Sequence, residues 1–222
     1  MKGTLSKLLI VLVIAGAIFW YMAKSSSENK VLRLVIERLS ADSRIAEAVV
    51  TDQRRDPGTK KIYTTIKFQE YDTNLRPLEP QYFVFSGNVI QFQSMVIRFD
   101  DYYVKKGDPL RGKSAYLFTR VFMLTDKGAE VYDINKINDV PSGYEVGAAG
   151  GSAFEKKLWY KFWKYALNPK EAKRIGIKNA QIEAPGTMFI PGMQYILKIE
   201  NDGGLRIDAL PMPKPARRTK KG

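Results

Sequence analysis

The 222-residue sequence contains no cysteine and no histidine. Without cysteine the chain forms no disulfide and has no thiol nucleophile, and without histidine it lacks the usual imidazole general base. The common zinc ligand sets need one or both of these residue types. Any catalysis or metal binding would depend on serine, lysine and carboxylate groups alone, and we predict neither a metal site nor a cofactor.

Acidic residues are in the minority, because 36 Lys and Arg stand against 23 Asp and Glu and give a formal net charge of +13. Such a charge favours polyanionic partners, among them phospholipid headgroups, nucleic acid and anionic glycans. Hydrophobic residues make up 45% of the chain and aromatic residues 12%, which is enough to build a core at this length. The composition therefore indicates a folded, basic protein.

Charge is also missing from residues 8–23, a run that ends directly before Lys24. At about 1.5 Å per residue a helix over this run is about 24 Å long, and flanking lysines that reach the interface extend it toward a bilayer core of roughly 30 Å. Aromatic residues at its end suit the interface. We therefore predict that residues 1–24 form a cytoplasmic tip and a transmembrane signal anchor. The membrane-spanning residues include Leu8, Val13, Ile14, Trp20 and Tyr21.

A cleaved signal peptide is the alternative, because Ala15 and Ala17 form a small-x-small pattern. Cleavage there would leave the apolar Ile18 and Phe19 at the new terminus, so we prefer the uncleaved anchor. Basic residues flank both ends of the run, and the positive-inside rule does not decide the orientation. Since a long domain after a first span most often lies outside the cytoplasm, we predict a single-pass inner-membrane protein with its bulk in a periplasmic space.

Residues 25–45 follow as a polar linker and a juxtamembrane segment. The segment 30–40 has apolar residues at helical spacing but is too short for three heptads of a coiled coil. We predict one helix docked on the domain that follows. Those apolar residues are Val31, Leu32, Val35, Ile36 and Leu39.

Residues 46–146 show the patterns of strands. Between positions 62 and 69 apolar and polar residues largely alternate, which indicates a strand with one buried face. A turn signal at 86–88 predicts a tight hairpin. After it, Phe92 and Met95 have opposite parity, and this change predicts a bulge at Ser94, near a sheet edge, with Ile97 and Phe99 buried.

The remaining chain divides at the glycine-rich residues 147–152, which we interpret as a hinge. Residues 153–210 are predicted to form a helix and a β-hairpin that complete the first domain, because a separate core of about 60 residues would be marginal. The basic tail 211–222 is predicted to be disordered. The expected fold is β-dominated α+β: an N-terminal transmembrane helix, then a mostly antiparallel sheet, as a sandwich or partial barrel, with one amphipathic helix packed on it.

The helical segment 154–167 combines six aromatic residues with four lysines. At about 100° per residue its apolar residues and its lysines occupy separate arcs. We predict that Phe162 and its neighbours face the protein's own sheet, and that Trp159 or Trp163 stays partly exposed. The alternatives are an interfacial helix on anionic lipid and, for a cytoplasm-facing domain, a nucleic-acid binder. The candidate interface residues are Lys157, Trp159, Lys161, Trp163, Lys164, Arg217 and Arg218.

One serine has a context that suggests an enzyme. Ser94 precedes Met95, and Lys105 and a Gly-Asp pair at 107–108 follow. This arrangement resembles the serine box of membrane-anchored signal peptidases. The resemblance implies a Ser–Lys hydrolase with Ser94 as nucleophile and Lys105, Lys106 or Lys113 as base. The sequence lacks the proline expected soon after Ser-Met and a later Lys-Arg pair, and we predict no catalysis.

The predicted function is a membrane-anchored envelope protein with an extracytoplasmic binding or assembly domain. Its expected partners are the lipid bilayer, through the N-terminal helix, and a protein or second copy of the chain in the envelope. Anionic lipid is a further candidate, whereas nucleic acid is not expected because it would require a cytoplasmic domain. The alternatives are the Ser–Lys hydrolase and a cytoplasm-facing polyanion binder.

Overall fold

The structure is a computed structural model that describes residues 14–23, 44–72, 74–99, 113–146, 152–168, 170, 177–200 and 204–212. Helix α1 covers residues 14–23 and helix α2 covers Ala153–Leu167. The strands are β1 (Arg44–Arg55), β2 (Ile62–Glu70), β3 (Gln81–Phe85), β4 (Val89–Phe99), β5 (Ser114–Thr125), β6 (Gly128–Asp133), β7 (Ile177–Glu183), β8 (Gly186–Met188), β9 (Met193–Ile199) and β10 (Leu205–Pro211).

The strands form two antiparallel sheets. Sheet 1 has the order β10-β9-β1-β2-β3, and sheet 2 has the order β6-β5-β4-β7, with β8 also paired to β4. The chain after α2 enters both sheets, since β7 and β8 pair with β4 whereas β9 pairs with β1. The predicted β-dominated, antiparallel architecture is therefore confirmed.

One hydrophobic core joins the inner faces of the two sheets. The ring centroid of Phe68, from β2, lies 5.4 Å from that of Phe92 in β4 and 5.6 Å from that of Phe118 in β5. Ile66 and Leu197 of sheet 1 are fully buried in the same cluster. Each large apolar side chain removed from water in this way contributes about 1.5–3 kcal/mol to the free energy of unfolding.

Side-chain hydrogen bonds tie the strands at the rims of the two sheets. On one side the Tyr132 hydroxyl of β6 donates to the Val84 carbonyl of β3, at 2.7 Å. On the other side the backbone N–H of Leu205, in β10, donates to the carboxylate of Glu183, in β7, at 3.0 Å. These bonds satisfy backbone groups that edge strands otherwise leave unpaired.

Strand β4 is buried on both faces. Phe92 and Val96 belong to the core between the sheets, whereas Met95 and Ile97, at the alternate positions, are buried on the outer face of sheet 2. The strand itself is regular, because one register runs from Gln91 opposite Gly186 to Ser94 opposite Glu183. The change of parity in the sequence therefore reflects a second covered face and not a slip within β4.

A bulge does lie beside Ser94, as predicted, but its extra residue belongs to β5. Gln93 pairs with Arg120 and Ser94 pairs with Phe118, so Thr119 is left over. The predicted position near a sheet edge is wrong, since β4 lies between β5 and β7. The predicted burial of Ile97 is confirmed, and the side chain of Phe99 lies outside the described residues.

Helix α2 packs on the outer face of sheet 2, next to β7, and begins with a capping box. The Ser152 hydroxyl accepts from the Glu155 N–H at 3.2 Å, and the Glu155 carboxylate accepts from the Ser152 N–H at 3.3 Å. The prediction that Phe162 faces the protein itself is confirmed, because it is only 3% exposed. The prediction of a partly exposed tryptophan is wrong, since Trp159 and Trp163 are both 0% exposed.

Helix α1 contains the described part of the predicted anchor, and all ten of its residues are exposed. Ile14, Trp20 and Tyr21 are among them, while Leu8 and Val13 lie outside the described residues. Within the part of the chain that the structure describes, no helix is both long and apolar enough to cross a membrane.

Several predicted segments fall wholly or largely outside the described residues, namely 30–40, 147–151 and the tail from 213 onward with Arg217 and Arg218. Two predicted boundaries shift slightly. Strand β1 begins at Arg44, inside the predicted linker, and β10 ends at Pro211, inside the predicted tail.

Candidate binding surfaces

Ser94 lies on the inner face of sheet 2, at the same parity as Phe92 and Val96, and is 1% exposed. Its hydroxyl is buried and has no hydrogen-bond partner among the described residues. Ser114 pairs with Arg98, so Lys113 lies opposite position 99, five residues along β4 from Ser94. At about 3.3 Å per residue this separation is about 16 Å, far beyond hydrogen-bond reach. Lys105 and Lys106 lie outside the described residues.

Buried polar groups that are paired stabilise the connection between β6 and α2. The Asn135 side-chain amide donates to the Phe118 carbonyl at 2.8 Å, and its oxygen accepts from the Ser142 N–H at 3.0 Å. The Tyr144 hydroxyl accepts from the Tyr116 N–H at 2.8 Å. These bonds hold the chain along the β5 edge that β6 leaves uncovered, and so position the start of α2.

No group of acidic side chains within the described ranges is arranged to hold a metal ion. Asp72, which is buried, instead organises the turn after β2. Its carboxylate accepts from the N–H groups of Asn74 and Arg76, at 2.8 and 2.9 Å, and from the Arg76 guanidinium. Burial alone would raise the pKa of Asp72, but these hydrogen bonds and the Arg76 charge together lower it below its ordinary value.

The exposed side of α2 forms the first candidate binding surface, which we call the lysine face. It consists of Lys156, Lys157, Lys161 and Lys164 around Tyr160, and all five residues are exposed. No ion pair involves these lysines within the described structure. The only acidic residue of α2, Glu155, is buried and caps the helix. The lysine face is therefore a positive surface without a neutralising carboxylate on its own helix.

The lysine face agrees only in part with the candidate interface residues. Lys157, Lys161 and Lys164 lie together on it, as their helical spacing predicted. Lys156 was missed, although at 100° per residue it lies only about 40° from Tyr160. Trp159 and Trp163 point the other way: the Trp159 ring packs against Tyr144, with centroids 5.1 Å apart, and the Trp163 indole N–H donates to the Asp139 carbonyl at 2.7 Å.

The second candidate surface lies on the half of sheet 2's outer face that α2 leaves bare. Val89 pairs with Met188, and the β4–β5 register places Leu124 on the other side of Val89. Phe122 and Val131 pair in the next row. The set spans β8, β4, β5 and β6 and contains no charged side chain. We call it the apolar ledge.

Four residues of the apolar ledge are large and about half exposed: Val89 at 50%, Leu124 at 64%, Val131 at 48% and Met188 at 56%. Contiguous apolar area on the order of several hundred Å² often marks an interaction site on a monomer. Strand alternation alone assigns each of these residues to an outward position. Their adjacency depends on pairings between distant segments, which explains why it was not predicted from the sequence.

Comparison with family models, curated proteins and solved structures finds no match for this chain.

Proposed function

We propose that this chain is a single-pass membrane-anchored protein of the cell envelope, whose β domain binds or assembles at the membrane surface and does not catalyse a reaction. The uncharged run 8–23 supports the anchor, because it contains the exposed apolar helix α1 and is flanked by a lysine on each side. The long domain that follows supports an extracytoplasmic position for the bulk of the chain.

The lysine face is the observation that carries the binding role. Four lysines that have no ion pair within the described structure project from one side of α2, while Trp159, Phe162 and Trp163 of the same helix are buried. A basic side chain close to an anionic membrane surface contributes about 1 kcal/mol of binding free energy, and the attraction fades within a Debye length of roughly 8–10 Å. Four such charges together contribute about 4 kcal/mol, which favours a weak and salt-sensitive contact.

Anionic phospholipid headgroups of the anchoring membrane are the proposed partner of the lysine face. Twenty residues, 24–43, separate α1 from β1. At up to about 3.5 Å per residue, such a segment can span tens of Å and allows the β domain to lie against the bilayer. Contact with lipid would be mainly electrostatic, since Trp159, Phe162 and Trp163 are buried and Tyr160 is the one exposed aromatic residue among the lysines.

Replacement of Lys157, Lys161 and Lys164 by Gln tests this proposal on a chain that begins at Ser25. Binding to vesicles rich in anionic lipid should fall at least tenfold, because three charges near the surface are lost. Added salt should weaken wild-type binding in the same direction. The denaturation midpoint should change little, since these side chains are exposed.

The matched control replaces Lys60, Lys61 and Lys127, three exposed lysines in strand connections away from α2, by Gln. Both triple variants lose the same net charge, so only a specific surface separates them. Equal vesicle binding by the two variants would remove the lysine face from the proposal.

A cytoplasm-facing polyanion binder would use the same lysines, and membrane topology separates it from the proposed function. A reporter fused after Gly222 should be active outside the cytoplasm only. Activity confined to the cytoplasm would overturn the extracytoplasmic placement. The Ser–Lys hydrolase needs a separate test, in which Ser94→Ala abolishes a peptidase activity; we expect no such activity to depend on Ser94.

A further inference from the structure

The apolar ledge continues an interface that the molecule already uses. On the outer face of sheet 2, Met95 and Ile97 are buried where α2 packs, and Val89 lies farther along the same strand on the same face. The covered half and the bare half thus belong to one apolar sheet surface. A helix fills one half, and no described element fills the other.

The surface has the shape of a step. Helix α2 stands above the sheet by about 10 Å, the diameter of a helix with its side chains, and the apolar ledge lies beside it at sheet level. Two β-sheets that pack face to face are also about 10 Å apart. The height of the step therefore equals the spacing at which a second sheet would rest on the ledge.

We propose that the apolar ledge is the contact between two copies of this chain, packed face to face about a two-fold axis that runs perpendicular to the strands. With this axis the apolar ledges of the two copies face each other. Helix α2 of each copy then lies beyond the end of sheet 2 of the other copy. An axis parallel to the strands would instead bring each α2 to the position of the partner's sheet, about 10 Å above its own sheet, where the helix and the sheet would clash. The arrangement is isologous, with the same patch used by both copies.

The charge distribution favours this contact over other parts of the surface. The chain carries +13, so two copies repel at most orientations. The ledge residues carry no charge, and in the adjoining row Arg120 and Asp133 neutralise each other at 2.9 Å. The β5–β6 turn beside Leu124 adds one charge of each sign, Asp126 and Lys127. When the two apolar ledges pack together, the lysine face lies on the side of α2 that points away from the contact.

The predicted helix at 30–40 of the same copy is an unsuitable occupant. Gln53 lies at the end of β1 that is nearest to the apolar ledge, because its side chain donates to the Phe189 carbonyl, next to Met188. Strand β1 begins at Arg44, at the opposite end of the sheet. Arg44 is nine residues from Gln53 along the strand, a distance of about 30 Å. The three residues between that helix and β1 can reach at most about 10 Å.

The contact area sets the expected strength. The ledge exposes on the order of several hundred Å² per copy, below the roughly 800 Å² per partner of a standard stable interface. Association should therefore be weak for dilute free protein. A shared membrane raises the effective concentration of the two copies, and here the inference rests on the anchor in the proposed function.

Cysteine cross-linking of the full chain in its membrane tests the dimer, and the absence of native cysteine makes single-cysteine variants clean probes. The proposed axis places Val89 opposite Val89 of the partner copy, so Val89→Cys should give a dimer with a bismaleimide of roughly 10 Å span. The matched control is Val84→Cys, a valine of similar exposure, at 47%, on the outer face of sheet 1. We expect at least tenfold more dimer from Val89→Cys than from Val84→Cys.

A second variant tests the contact itself. Adding Leu124→Glu to Val89→Cys should reduce the dimer at least tenfold, because it buries a charge in an apolar contact. Adding Val84→Glu, on the other sheet, should leave the dimer unchanged. Equal cross-linking at positions 84 and 89, or Val89→Cys cross-linked only to a different protein, would overturn the proposal.

The outcomes separate this inference from the proposed function. Fractionation of wild-type cells reports whether the chain is membrane-bound and thus tests the anchor. The ratio of dimer from Val89→Cys and Val84→Cys, measured in whichever fraction holds the protein, tests the ledge. The triple lysine variant should keep that ratio, since the lysine face lies outside the contact.

Discussion

At the scale of single residues, Asp72 shows how one carboxylate fixes a turn. It is buried, and it accepts hydrogen bonds from two backbone N–H groups and from the Arg76 guanidinium. Its partners within four residues show that its role in the described structure is local and structural.

We predict that Asp72→Asn lowers the free energy of unfolding by about 1–3 kcal/mol at neutral pH, because hydrogen bonds to a charged acceptor are lost or weakened. The pKa of Asp72 is lowered in the folded state, so its contribution is complete above the unfolded pKa, near 4, and disappears as the pH falls through the lower folded value. The difference between wild type and variant should therefore shrink below pH 4.

Urea denaturation between pH 3 and pH 7 measures this effect on the chain that begins at Ser25. Asp126→Asn, at an exposed position in the β5–β6 turn, is the control and should change stability by less than about 0.5 kcal/mol. A constant deficit for Asp72→Asn at every pH would contradict the electrostatic account.

At the scale of elements, α2 has two faces with different tasks. Its aromatic face is a structural layer over sheet 2, in which Trp159 packs on Phe162 with ring centroids 5.1 Å apart. Its lysine face remains in solvent. The same residue types would suit an interfacial helix, and the burial of the tryptophans argues for the structural role.

We predict that Phe162→Ala costs about 3–5 kcal/mol of stability, as for other core aromatic residues. Tyr160→Ala removes an aromatic side chain that is 55% exposed and should cost far less. Thermal and urea unfolding of both variants, on the chain that begins at Ser25, measure the difference. An unchanged melting temperature for Phe162→Ala, together with a loss of vesicle binding, would instead identify α2 as an interfacial helix.

At the scale of the whole molecule, the chain combines an apolar N-terminal run with a domain of two sheets. Helix α2 covers one half of the outer face of sheet 2, and the other half, the apolar ledge, is exposed. The anchor, the lysine face and the apolar ledge are separate surfaces. Each surface can therefore be tested by its own experiment, and the role proposed for one surface can be wrong without affecting the other two.

We predict that Val13→Arg combined with Ile14→Arg releases the protein from membranes, because arginine near the centre of a span costs about 2.5–3.5 kcal/mol per residue. Membrane fractionation of the full chain measures the release, with Val13→Leu and Ile14→Leu as the apolar control. Wild-type protein that was soluble and began near Ile18 or Lys24 would show that the run is a cleaved signal.

The sequence alone determined the features that depend on local pattern. Alternation marked β2, which the structure places at Ile62–Glu70, and the turn signal at 86–88 marked the end of β3 and the start of β4. The tight hairpin predicted there is wrong, because β3 pairs in sheet 1 and β4 pairs in sheet 2. The helical segment predicted at 154–167 ends where α2 ends in the structure, at Leu167. These features need only near neighbours, because helix and strand periodicity and turn chemistry act over a few residues.

Only the tertiary structure decided which faces are covered. Met95 and Ile97 are buried because α2, about 60 residues later, packs on that side, and this second covered face produced the misread parity of β4. The apolar ledge exists because Val89 pairs with Met188, about 100 residues away. Pairings over such distances follow from how whole sheets and layers bury their apolar area, and local periodicity contains no record of them.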